Sequence, residues 1–135
     1  MKPLVVYNSK WLKFVIRWAA GMTLYPFIFF KWTKEEVARS HVARHELEHW
    51  YDARDEGPLK FYLKYLFNSF RHGYKRNPAE IDANAQERLP LTETELEWMF
   101  TESKVAKVVD LAMVGAFTAL VATFAYSFYM WTQGA

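Results

Sequence analysis

At 135 residues and 16.0 kDa the chain is of single-domain size. With 52% hydrophobic and 19% aromatic residues it is far from the composition of a disordered segment. It has no cysteine, which excludes a disulfide framework, thiolate zinc fingers, iron–sulfur ligation and a cysteine nucleophile, and leaves any metal site to His, Asp and Glu. The net charge of +2 gives no electrostatic footprint for nucleic acid, so none is expected as a partner. That small total hides a split: residues 1–79 hold 14 Lys/Arg against 7 Asp/Glu, and residues 80–135 hold 3 against 8.

In chain order, residues 9–20 read as a basic amphipathic helix, with Lys10, Lys13 and Arg17 beside Trp11, Phe14, Val15 and Trp18. Such a helix suits a membrane interface or the flank of a domain core. The run Thr23–Lys31 is aromatic and contains Pro26, so it is expected as an extended edge strand. Thr33 with Glu36 three residues on forms a capping-box pattern, opening a helix over 34–56 that Gly57 closes. Pro58 opens a second helix, ending near Gly73, and Asn77 with Pro78 opens a third over 78–88. Pro90 breaks that helix, and Thr92 or Thr94 caps a last one. Then Leu111–Trp131 runs 21 residues without a charge. Roughly 20 apolar residues cross a hydrocarbon core of about 30 Å.

A buried core helix of that length would need more than the roughly 100 remaining residues to surround it. Residues 111–131 are therefore expected to meet membrane lipid, with Tyr126, Tyr129 and Trp131 as an interfacial belt. Lys104 and Lys107 put the preceding domain on the cytoplasmic side of a single-pass C-terminal anchor. The expected organisation is a mainly α domain over 1–103 followed by a transmembrane-like helix and tail over 104–135.

Chemistry concentrates in His45-Glu46-Leu47-Glu48-His49, an HExxH motif inside a segment independently read as helix. Residues i and i+4 share a helical face, so His45 and His49 can aim at one metal ion while Glu46 reaches a water beside it. Catalytic zinc takes a third protein ligand and keeps one position open. His41 lies one turn earlier, but ligands at i, i+4 and i+8 spread over about 12 Å and cannot share an ion. His72 is possible, and Glu80 is the better candidate because the third helix returns beside the first. Asn84, one turn beyond Glu80, could orient a ligand histidine. His72 and Tyr74 are candidates to steady an oxyanion. Ile28, Phe29 and Phe30 are candidates to hold a peptide by edge pairing.

HExxH followed by Glu80-x-x-Ala83-Asn84 resembles the gluzincin pattern of zinc metallopeptidases. Over about residues 19–88 the runs MTLYPFIFFKW, RHELEHW, PLKFYLKYLF and NPAEIDANA are similar to small metallopeptidase-like proteins of bacteriophage and bacterial genomes. Asn84 stands where many of those relatives have Asp. The resemblance implies a compact minimal zincin-like domain, one Zn²⁺ on His45, His49 and Glu80, and Glu46 as catalytic base. It also implies a peptide or protein substrate lying along the extended segment, and a phage-encoded or virion-associated setting. The competing expectation is a non-catalytic virion or membrane-associated protein with a structural or remnant metal site. Against it stands Glu46, since a structural zinc needs no base. The oligomeric state is left open.

Overall fold

A computed structural model describes residues 1–134 and is mainly helical. Three strands, β1 (Leu4–Val6), β2 (Gly21–Leu24) and β3 (Phe27–Phe30), form one sheet in the order β1-β3-β2. β1 pairs parallel to β3, with Val5 opposite Ile28, and β2 pairs antiparallel, with Thr23 opposite Ile28. A turn through Tyr25 and Pro26, joined by a cis peptide bond, connects β2 to β3.

β3 is therefore the central strand, which corrects the expectation that Ile28, Phe29 and Phe30 form an edge. Pro26, the residue that suggested an edge, lies in the turn before the strand. The aromatic run has a different cause. Strands covered on both faces read as continuous apolar stretches. Successive side chains alternate sides: Ile28 and Phe30 join Val5, Tyr7, Leu47 and Trp50, while Phe29 joins Val6, Leu12 and Ala106. Ile28, Phe29 and Phe30 are fully buried.

The helices cover these two faces. α1 (Lys10–Phe14) is far shorter than the helix expected over 9–20. The β-branched pair Val15-Ile16 follows it, and such residues lose side-chain freedom in a helix. The chain then turns so that Gly21 can enter the sheet. The helix expected over 34–56 is two helices, α2 (Lys34–Ala38) and α3 (Val42–Glu56). Ser40 makes the break: its hydroxyl donates to Val37 O at 3.0 Å and accepts from Val42 N at 3.3 Å, replacing helical bonds with local ones. Gly57, at φ 94°, allows the reversal from α3 into α4 (Pro58–His72). α5 (Pro78–Gln86) is capped by Asn77, and α6 (Glu93–Met99) by a Thr92–Glu95 capping box.

α7 (Lys104–Thr132) is long and apolar enough to cross a membrane. Its first turns belong to the core, with Ala106 and Asp110 buried; beyond Val114 every described residue is exposed. Asp110 fastens α7 to α1 by accepting from Ser9 Oγ, from Lys10 N at 2.8 Å and from Trp11 N at 3.3 Å. A carboxylate on the free amides of a helix start satisfies donors that would otherwise be orphaned. Asp110→Ala strands these donors in a site where Asp110 is only 2% exposed. Each buried unsatisfied group costs about 1–3 kcal/mol. The variant is expected to lose about 2 kcal/mol or more of stability, read as a lower denaturant midpoint for the detergent-solubilised full chain.

Candidate metal centre

The face that α3 turns to the protein carries Ala43, Glu46, Leu47, His49, Trp50 and Ala53. Helical spacing thus places Glu46 and His49 on the same stripe as the core anchors Leu47 and Trp50. His45 stands at the margin of that stripe, partly buried. α5 lies against α3 and delivers Glu80 in its first turn.

Glu80 meets both histidines. Its Oε2 lies 3.0 Å from His45 Nε2, and its Oε1 lies 3.0 Å from His49 Nε2. One donor atom from each of the three residues falls within 4.8 Å of the others, a group that could hold a metal ion. His49 supplies an independent sign of fit. Both its ring nitrogens are buried without a hydrogen-bond partner among the described residues, although Nε2 is close to the carboxylate. Buried polar atoms are normally satisfied. A nitrogen aimed at the point shared with His45 and Glu80 has the orientation of a ligand rather than of a hydrogen-bonding pair. His41 caps α3 and is exposed, away from the cluster.

Supporting groups come from residues that the sequence motif did not reveal. Tyr65 on α4 donates its hydroxyl to Glu80 Oε1 at 2.7 Å. Asn77 is fully buried and donates to Tyr65 O at 3.0 Å and Ser69 Oγ at 2.8 Å, while its Oδ1 accepts from Ala79 N at 3.0 Å. These bonds fix the start of α5 on α4. Glu87, at the end of α5, places Oε2 3.4 Å from His45 Nδ1, the second ring nitrogen. Asn84, expected in that role, is exposed and makes no side-chain hydrogen bond among the described residues. Glu87 lies three residues beyond Asn84, and it is Glu87 that stands beside His45.

Glu46 is 6% exposed, and its Oε2 accepts from Thr23 Oγ1 at 2.7 Å. Gly21 leaves the space that the Glu46 side chain fills: a Cβ there would stand 2.8 Å from Glu46 Cγ and 3.1 Å from Glu46 Oε1. β2, rather than β3, is thus the strand beside the motif. Its ladder with β3 directs the polar groups of Met22 and Leu24 inward and those of Gly21 and Thr23 to the free edge. In agreement, Thr23 O accepts from Tyr62 Oη at 3.0 Å, and Tyr62 Oη in turn accepts from Tyr25 N at 2.8 Å. Ile28, Phe29 and Phe30 are buried one strand away and cannot present an edge. His72 is exposed at the end of α4 and is not brought to the cluster. Tyr74 is 63% exposed, and its phenol is pushed up to about 12 by partial burial and then by the Glu80 and Glu46 carboxylates.

Compared with known proteins, the chain matches no family model, no curated protein and no solved structure.

The charges of the cluster oppose one another. Burial pushes the Glu46 carboxyl above its ordinary value of 4.5, outweighing His49, Thr23 and His45, which pull it down. Burial pulls His45 down, but the hydrogen bond to Glu80 and the Glu46 charge carry it above 6.5. Burial raises Glu80, and His45, His49 and Tyr65 together hold it well below 4.5. A raised His45 contributes stability that is present below its unfolded value and lost as pH rises through the folded one. A raised Glu46 acts in the same direction. Glu80 acts in the opposite one, losing its contribution only on acidification. In chelator, the unfolding midpoint is therefore expected to fall between about pH 6 and 8. Glu46→Gln, which removes a charge that helps to raise His45, is expected to flatten that slope.

Proposed function

We propose that the protein is a zinc-dependent metallopeptidase anchored in a membrane by α7. The observation that carries the reading is the convergence of His45, His49 and Glu80 beside a buried Glu46 that belongs to the same helical turn as the two histidines. A structural site would need no base at that position. The likeness of the motif set to gluzincins supports the same chemistry, and a three-stranded sheet lying over the motif helix suits a minimal zincin-like domain.

His45, His49 and Glu80 would hold the ion. A zinc ion so held would supply Lewis acidity toward a carbonyl and would bring the pKa of a water toward neutrality. Glu46 handles the proton. Thr23 occupies Oε2, leaving Oε1 free of any protein donor among the described residues. Oε1 takes the proton from the attacking water and returns it to the leaving amine. Burial tunes it for both halves of that exchange, because a general base works best when its pKa approaches the operating pH. An extended substrate pairs with the edge of β2 at Gly21, the part that Tyr62 leaves open, which places a peptide carbonyl over the turn holding Glu46. Tyr74 stays protonated at neutral pH and offers its hydroxyl to the oxyanion. Tyr65 and Glu87 orient the ligands Glu80 and His45 without touching substrate. Lys104 and Lys107 at the start of α7 favour a cytoplasmic domain.

Two variants separate the parts of the proposal. Glu46→Gln is expected to retain one zinc per chain while peptide-library cleavage falls by roughly 10²- to 10⁴-fold, the range of general acid–base catalysis. His49→Ala is expected to lose the zinc by elemental analysis. Turnover in Glu46→Gln equal to the parent sinks the mechanism, and unchanged metal content in His49→Ala sinks the ligand assignment.

A further inference from the structure

The uncharged stretch Leu111–Trp131 has 21 residues. At 1.5 Å per residue it is about 31 Å long, the thickness of a hydrocarbon core. The folded domain holds on to α7 well past the start of this stretch. Met113 packs in the cluster formed by Leu12, Phe29 and Ala106. The Trp11 ring meets Phe117 edge-on, with centroids 5.8 Å apart. If hydrocarbon began only at that contact, residues 117–132 would offer about 24 Å, well short of a bilayer core. A helix that spans fully therefore carries Trp11 and its neighbours down beside its own first two turns.

The surface at this level has matching chemistry. Phe14 is 63% exposed and Trp18 is 83% exposed. Lys10 and Arg17 are exposed and Lys13 partly so, and none of the three has a carboxylate partner among the described residues. The segment is pinned in place, since Ile16 and Ala19 pack on the cluster that holds Val109 and Met113. Aromatic rings interleaved with unpaired cations match the boundary between acyl chains and phosphates. A soluble protein partner would leave the depth set by the Trp11–Phe117 contact without an explanation.

We infer that residues 10–18 form a membrane-embedded shelf beside α7. Phe14 and Trp18 enter the acyl–headgroup boundary, and Lys10, Lys13 and Arg17 hold the phosphates of anionic lipid. The shelf rests on the reading of α7 as a span. It fixes the domain against the bilayer on the α1 face of the sheet, opposite the face that packs on α3.

The absence of native cysteine makes depth directly measurable. Single cysteines are introduced as Trp18→Cys, Phe124→Cys and Asp82→Cys in the full chain and labelled with a nitroxide. The protein is then reconstituted in vesicles of mixed phosphatidylcholine and phosphatidylglycerol. Collision rates with oxygen and with a water-soluble nickel chelate report depth. The labels at 18 and 124 are expected to favour oxygen several-fold and the label at 82 to favour nickel. Adding Lys10→Glu, Lys13→Glu and Arg17→Glu is expected to shift the label at 18 toward nickel, and no shift overturns the phosphate contacts. A label at 18 that behaves like 82 while 124 stays deep overturns the shelf and leaves the span standing. A label at 124 that behaves like 82 overturns both.

Discussion

The packing of α5 against α3 and α4 depends on a single buried carboxylate. Glu80 is 4% exposed, and an ionised carboxylate at that depth is costly unless it is paired and hydrogen-bonded. Three side chains from two helices supply the pairing: His45 and His49 on α3, and Tyr65 on α4. The same contacts dock α5 onto α3, so Glu80 is strut and candidate ligand at once. Asn77 makes the arrangement reproducible by tying the first turn of α5 to the backbone of α4. Two carboxylates within one small site, Glu80 held ionised and Glu46 pushed toward neutrality, are thereby driven apart in pKa. That divergence suits one group to holding a cation and the other to moving a proton.

How much of this was legible in the sequence follows from the range of each signal. HExxH at helical spacing names His45, Glu46 and His49 because all three act within one turn. Glu80 could be placed because Asn77-Pro78 marks a helix start and the helix order returns that start beside α3. Side chains that depend on tertiary approach left no comparable mark. Tyr65 looks like one more aromatic on an amphipathic helix, and Glu87 like a solvated acid near a helix end. Gly21 carries no local signal for its part, which is that its missing Cβ makes room for Glu46. Asn84 was the reasonable choice on periodicity alone, and one turn of difference moved the role to Glu87.

The larger errors concern strands. Three- and four-residue strands carry too few residues for alternation to stand out, so β1 leaves no mark in the sequence and β3 reads as an edge. Its side chains alternate between two cores, and because both cores are apolar the alternation vanishes from the sequence. Ser40 likewise divides a helix whose hydrophobic period runs on undisturbed, since a hydroxyl that bonds to Val37 O and accepts from Val42 N is a local competitor that periodicity does not register.

The sheet also links the two halves of the molecule. One face packs on the motif helix, and the other packs on α1 and the first turns of α7, so the segment long enough to cross a membrane is an extension of the domain core. Asp110 marks the join, accepting backbone donors from α1 immediately before the uncharged stretch begins. The metal centre proposed for this architecture is tested most directly by anomalous diffraction at the zinc edge from crystals of the full chain. The prediction is one zinc per chain, with His45 Nε2, His49 Nε2 and a Glu80 oxygen at about 2.0–2.2 Å and a fourth position open to solvent. A zinc bound elsewhere, a fourth protein side chain closing the site, or no zinc at full occupancy of the crystal by folded protein would contradict it.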